Sequence, residues 1–166
     1  MDQKLVNIQS RGMSETPLGW IEVVHDLTSI KSLCFNDIAL DKPINIFDNQ
    51  IIKRLNLDLK GYFNKELTKF KYNLNPVGTP FQKKVWEELT KIPYGVTCTY
   101  QELAIRLGGK EKTRAVATAI AKNPILILIP CHRVIGSNGK LTEFSGGINR
   151  KRVLLEIEGK IGRAHV

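Results

Sequence analysis

The sequence predicts an α/β protein of the α+β kind, with a strand-led scaffold over residues 1–75 and a mainly helical part over 76–166. Three observations predict it. Strand-like segments gather before residue 36, helical apolar spacing with capping signals dominates after residue 79, and a turn-rich run, Asn73-Leu74-Asn75-Pro76-Val77-Gly78, lies between them. A chain of 166 residues can bury one medium core or two small ones. With 42% hydrophobic and 25% charged residues it is not a disordered chain. Its longest apolar run, Ile125-Leu126-Ile127-Leu128-Ile129, is far short of a membrane span. Met1-Asp2-Gln3-Lys4 lacks the apolar core of a signal peptide, so a cytosolic location, or a nuclear one in a eukaryote, is expected.

In order along the chain, Leu5-Val6-Asn7-Ile8 and Trp20-Ile21-Glu22-Val23-Val24 have strand composition, with Thr16-Pro17-Leu18-Gly19 as the turn between them. A third strand is expected at Ile30-Lys31-Ser32-Leu33-Cys34-Phe35, with Cys34 as an inert buried thiol. Ile51, Ile52, Leu55, Leu59, Tyr62 and Phe63 recur at helical spacing. After the junction, Thr79-Pro80-Phe81-Gln82 combines an N-cap, a proline at the first helical position and a capping box. The apolar face of that helix is Phe81, Val85, Leu89 and Ile92, and Pro93-Tyr94-Gly95 ends it. A second capping box, Thr99-Tyr100-Gln101-Glu102, opens a short helix that stops at Gly108-Gly109. A helix of small residues follows from Thr113 to Lys122, closed by Asn123-Pro124. Two short helices around a glycine turn are the outline of a helix-turn-helix, or of an ordinary helical hairpin.

Charge separates the two parts. Residues 1–75 carry ten Lys/Arg against nine Asp/Glu, whereas residues 76–166 carry fifteen against seven. A basic field concentrated on one part fits a polyanionic partner, and also fits a solvated surface. With the paired helices beside it, DNA binding is the preferred reading. The three cysteines (Cys34, Cys98, Cys131) form no even disulfide framework, and none pairs with a histidine at zinc-finger spacing, so no metal site is expected.

The apolar run ends at Pro130-Cys131-His132-Arg133-Val134. A thiol beside an imidazole and a guanidinium is suggestive, because a base or a positive charge favours the nucleophilic thiolate. Adjacency alone is weak, since neighbours on a strand face opposite ways. Cys131 is expected just past a buried strand, where a rigid element hands it to a pocket.

Here the sequence resembles the O6-alkylguanine-DNA alkyltransferases, the methylated-DNA–protein-cysteine methyltransferases. Besides Pro130 to Val134, the similarity takes in Gly78-Thr79-Pro80-Phe81-Gln82, Val85-Trp86, Thr99 to Ala104, Arg114-Ala115-Val116, Asn123-Pro124, Ser145-Gly146-Gly147, Leu154-Leu155 and Glu158-Gly159. Residues 1–75 match only in length and layout. The resemblance implies a ribonuclease-H-like first domain with a small antiparallel sheet and helices. It implies a winged-helix or helix-turn-helix second domain that carries the active site.

The implied activity is direct repair. An O6-alkylguanine, with O4-alkylthymine as a further candidate, is flipped from double-stranded DNA and its alkyl group passes irreversibly to Cys131. One protein repairs one lesion, without a cofactor. His132 is implied as base through a bridging water, Glu158 as the group that orients His132, and Asn123 as the tie of the turn before the active-site strand. Tyr100 is implied to rotate the nucleotide and donate toward the leaving guanine, and Arg114 to fill the gap in the stack. Gln101 and Ser137 are implied near the DNA backbone. Val134, Phe144, Ser145, Gly146 and Gly147 are implied as the base pocket, with Phe144 where a common family pattern has Tyr. Binding is expected in the minor groove, with little sequence preference, by a monomer. Competing readings are a non-catalytic alkylated-DNA-binding relative, which would lack the cysteine, a helix-turn-helix regulator, and a Cys-His hydrolase.

Overall fold

The computed structural model describes residues 9–38 and 50–160. The chain divides into two compact units, Met1–Val77 and Gly78–Val166. In the first, β1 (Ser10–Thr16), β2 (Gly19–His25) and β3 (Ile30–Phe35) form an antiparallel sheet in that order. The first hairpin closes at Thr16 opposite Gly19. Thr16 Oγ1 donates to the Gly19 carbonyl at 2.8 Å and accepts the Leu18 N–H, while Gly19 takes φ 120, which suits a residue without a side chain.

The turn therefore stands where the sequence predicts it, but the strand leading into it is Ser10–Thr16. The strand expected at residues 5–8 lies outside the described residues. β1 contains little apolar signal because its buried positions are Gly12, Met13, Ser14 and Thr16. Pairing with β2 makes it a strand. Cys34 is exposed, not buried. Alternation along β3 turns Leu33 into the core and leaves Cys34 outside, paired across from Glu22.

Helix α1 (Gln50–Phe63) buries Ile52, Leu55, Leu59 and Tyr62, the spacing read from the sequence. Each such burial stabilises by about 2 kcal/mol. The helix packs on β1, and a methyl group at Gly12 would lie 2.7 Å from Ile52. The chain then returns beside β3, where the Ile30 N–H donates to Asn73 and its carbonyl accepts from Asn75.

The second unit contains α2 (Pro80–Thr90), β4 (Cys98–Thr99), α3 (Tyr100–Arg106), α4 (Thr113–Ala121), β5 (Val134–Ile135) and α5 (Ile148–Ile157), with short 3-10 turns at Lys110–Lys112 and Cys131–Arg133. Both capping boxes form. Thr79 Oγ1 accepts the Gln82 N–H and Gln82 Oε1 accepts the Thr79 N–H, and Thr99 and Glu102 repeat the arrangement. Helix α2 ends at Thr90, three residues before the proline expected to stop it, with Lys91 as its C-cap.

Gly78 passes directly over the Trp86 ring, where a β-carbon would come within 2.4 Å of the indole. The Trp86 indole N–H donates to the Ala119 carbonyl at 2.9 Å, a buried bond joining α2 to α4. Helices α3 and α4 pack together around Gly108, whose φ of 127 makes the turn. Residues 125–129 are buried but are not the expected strand. They form a turn held by Leu128 N–H to Leu126 O and Ile129 N–H to Ile125 O, with Ile127 at φ 69. The Asn123 amide donates to the Ile129 carbonyl and its oxygen accepts the Ile125 N–H, both at 2.9 Å. These bonds pair part of the backbone of a run that stays buried. No helix among the described residues is long and apolar enough to cross a membrane.

Candidate active site

Because residues 125–129 turn, Cys131 begins a 3-10 turn and does not end a strand. Its N–H donates to the Ile129 carbonyl at 2.8 Å. Strand β5 follows at once and pairs in parallel with β4, Cys98 opposite Val134 and Thr99 opposite Ile135. That pairing brings Tyr100, the first residue of α3, to the Cys131 turn. Between them lies a cavity of about 320 Å3 lined by Cys131, Tyr100, Thr142, Glu143, Phe144, Ser145 and the small residues Ala117 and Ala121 of α4, with Ile120.

His132 is fully buried, and its Nε2 lies 3.0 Å from Glu158 Oε1. Burial holds the His132 pKa below its ordinary value, against the raising effect of Glu158. A carboxylate only accepts, so the neutral ring carries its proton on Nε2 and presents Nδ1 as an acceptor. Nδ1 is buried without a protein hydrogen-bond partner.

Glu158 is held from its other side by Arg133. Nε reaches both carboxylate oxygens at 3.2 and 3.0 Å, Nη2 reaches Oε1 at 2.7 Å, and Nη1 donates to the Ile92 carbonyl at 2.6 Å. Burial by itself would raise the Glu158 pKa. Hydrogen bonds from His132 and Arg133, with the Arg133 charge, outweigh it and bring the group to about 2.

The thiolate anticipated for Cys131 is not its resting form. Burial pushes the thiol up to about 11, although the Asn123 side chain, the Lys151 charge and nearby backbone N–H groups all pull it down. Desolvation wins, and the group waits as a thiol.

Several predicted residues come together here and others do not. Cys131, Tyr100, Phe144 and Ser145 line one cavity, and His132, Glu158 and Asn123 surround the Cys131 turn. Val134, Gly146 and Gly147 do not line the cavity. Val134 is fully buried in the β4–β5 ladder, the Gly146 carbonyl accepts from Arg150, and Gly147, at φ 95, caps α5. Gln101, Arg114 and Ser137 are all exposed.

The structure adds two residues to the site, Lys151 and Thr142, and gives Arg133 a partner that the sequence does not show. Arg133 was quoted in the signature, yet its bidentate grip on Glu158 is visible only in three dimensions. Lys151 sits within the charged run Asn149-Arg150-Lys151-Arg152 but is 1% exposed. Its Nζ donates to the Val134 carbonyl at 2.7 Å, to Thr142 Oγ1 at 3.3 Å and to the Thr142 carbonyl at 3.4 Å. Burial lowers its pKa to about 8. The signal for Lys151 was its spacing, three and four residues before the buried Leu154 and Leu155. Thr142, which hydrogen-bonds the Tyr100 hydroxyl, had no such signal.

Comparison with known proteins agrees with this geometry. The family model of the 6-O-methylguanine DNA methyltransferase DNA-binding domain matches residues 80–160. A methylated-DNA–protein-cysteine methyltransferase of Methanosarcina acetivorans is 41% identical over 148 residues, covering 87% of this chain and 95% of the relative. A crystal structure of a variant O6-methylguanine methyltransferase from Mycobacterium tuberculosis superposes with a TM-score of 0.80 at 38% identity, covering 91% of this chain and 93% of that one. The Mycobacterium tuberculosis OGT in complex with DNA gives 0.78 at 39% identity, covering 88% and 90%. With a cysteine in a cavity backed by a histidine–glutamate pair, and with relatives matched along most of their length, the chain belongs to the methylated-DNA–protein-cysteine methyltransferase family.

Proposed function

We propose that this protein repairs alkylated DNA directly, taking the alkyl group of O6-alkylguanine, and of O4-alkylthymine as a second substrate, onto Cys131. The observation that carries the reading is the placement of Cys131, a buried thiol lining a cavity of about 320 Å3 beside Tyr100, with the small residues of α4 along its edge. A guanine within the stack cannot reach that sulfur, so the nucleotide is extruded, at a cost of a few kcal/mol.

His132 Nδ1 takes the thiol proton, through a water, while Glu158 fixes the tautomer. The sulfur then bonds to the alkyl carbon as the carbon–O6 bond breaks, and the electron pair leaves with the purine. The purine gains a proton in exchange for the one the thiol surrendered, and the Tyr100 hydroxyl donates to it as its charge develops. A thioether has no good leaving group, so the protein acts once. Asn123 holds the turn that aims the sulfur.

The first unit, with its boundary near residues 75–77, serves as a ribonuclease-H-like scaffold. The second serves as a winged-helix DNA-binding module. A monomer in the cytosol lays α4 in the minor groove, with Arg114 filling the vacated stack, Gln101 and Ser137 near the backbone, and the Phe144–Gly147 loop beside the flipped base.

Incubation with duplex containing O6-methylguanine tests the reading. Peptide masses should show one methyl group on Cys131 and none on Cys34 or Cys98, and Cys131→Ser should abolish transfer while leaving DNA affinity intact. An unmodified Cys131 under excess lesion would end it.

A further inference from the structure

Lys151 has three N–H donors and three acceptors within reach: the Val134 carbonyl, the Thr142 carbonyl and Thr142 Oγ1. Thr142 Oγ1 also meets the Tyr100 hydroxyl, and both Thr142 and Tyr100 line the Cys131 cavity. An oxygen that accepts from a buried cation becomes a poorer acceptor for a second donor, and its own proton becomes a better one to give. The favoured order therefore runs from the Lys151 ammonium to Thr142 Oγ1, and from the Thr142 hydroxyl to the Tyr100 oxygen. The Tyr100 proton is then left facing the cavity. The tyrosine titration agrees in direction, since burial raises it and the Thr142 hydroxyl pulls it back.

We infer that Thr142 is a positioning residue for alkyl transfer, passing the charge of buried Lys151 to the Tyr100 hydroxyl and aiming its proton at the departing base. Lys151 is too deep to touch a base in the cavity, and Tyr100 alone is a neutral phenol. The threonine joins them. This rests on the alkyl-transfer reading above, in which Tyr100 serves the leaving purine.

The test separates leaving groups. Free O6-benzylguanine needs a proton donor as guanine departs, whereas iodoacetamide releases iodide and needs none. Loss of a direct donor costs about a hundredfold, and one link further from the charge the expected loss is roughly tenfold. Thr142→Val should thus slow benzyl transfer to Cys131 about tenfold. Iodoacetamide labelling of the Cys131 peptide should stay within about twofold of the parent protein. Thr142→Ser should restore benzyl transfer. On a Tyr100→Phe background, Thr142→Val should have no further effect, which keeps the question open to measurement if one variant folds poorly.

Equal slowing with both reagents, no slowing with either, a serine as poor as valine, or an added loss without the phenol would each overturn the inference. If the parent protein leaves Cys131 unalkylated by O6-benzylguanine and by duplex containing O6-methylguanine alike, the alkyl-transfer reading falls and takes this one with it. If the parent reacts and Thr142→Val reacts equally well, only the threonine's role is lost.

Discussion

Among the described residues, each unit of the protein buries one carboxylate, and the two do different things. In the first, Asp26 accepts the Thr28 and Ser29 N–H groups and both of their hydroxyls, closing the turn between β2 and β3. Hydrogen bonding from the Thr28 backbone, against the opposing effect of burial, keeps its pKa low. In the second, Glu158 is gripped by Arg133 and His132. The hydrogen-bond partners of Asp26 lie within three residues, with Lys31 Nζ 3.9 Å away, and none of them is a titratable base facing a cavity. One partner of Glu158 is an imidazole with a second nitrogen still available. A buried acid is therefore no sign of function by itself. The sign is an acid whose partner keeps a free reactive end.

Removing the two charges should sharpen that contrast. Glu158→Gln strands a buried guanidinium, and breaking such a pair costs about 3–5 kcal/mol. Alkyl transfer should fall with it, because His132 loses its orienting partner. Asp26→Asn should cost only about 1–2 kcal/mol, the price of a weakened turn cap, and leave transfer unchanged. Denaturant titration beside single-turnover rates reads both. If Asp26→Asn impaired transfer in folded protein, the contrast would fail.

Acid should sharpen it further. The folded pKa of His132 lies below its ordinary 6.5, so the unfolded chain takes up a proton that the native state refuses, and stability starts to decline as pH drops below 6.5. Glu158 behaves alike lower down: its contribution is whole above 4.5 and vanishes as pH falls through about 2. That second window corresponds to on the order of 3 kcal/mol. Urea midpoints measured from pH 7 to 3 should decline in both ranges, and Glu158→Gln should flatten the lower one. The smallest effect is expected at the surface, where Arg114→Ala should slow repair of duplex but leave the reaction with free O6-benzylguanine within about twofold. Equal damage to both would defeat its role in the stack.

The two units also differ in how much could be read in advance. The second spells out its local structure in residue types: Thr79 with Gln82, Thr99 with Glu102, and glycines between α3 and α4. Its reactive segment was recognisable from Pro130 to Val134. What escaped depends on distant partners. Residues 125–129 look like a strand because they are apolar and partly β-branched, and the two Asn123 bonds together with two backbone bonds inside the run make them a turn. The resting thiol escaped because His132 and Arg133 were visible as neighbours, whereas the desolvation that outweighs them comes from packing. In the first unit β1 was missed, since a strand that buries Gly12 and Ser14 has no alternation to show. Cys34 was misjudged by its apolar neighbours, although the period of two along β3 already placed it opposite to Leu33.

The bond from Trp86 to Ala119 fixes the far end of α4 to a neighbouring helix through an indole packed over Gly78. Axial sliding of α4 would rupture a desolvated contact and open a void around a large ring, so the helix is held along its axis. In the groove-bound complex proposed above, a helix held in this way yields little, and the distortion needed to expose a damaged nucleotide would fall on the duplex. On that proposal, lesions that already weaken stacking or pairing would open most easily, and mechanical compliance of the DNA would do part of the discrimination that base-reading contacts perform in other binders.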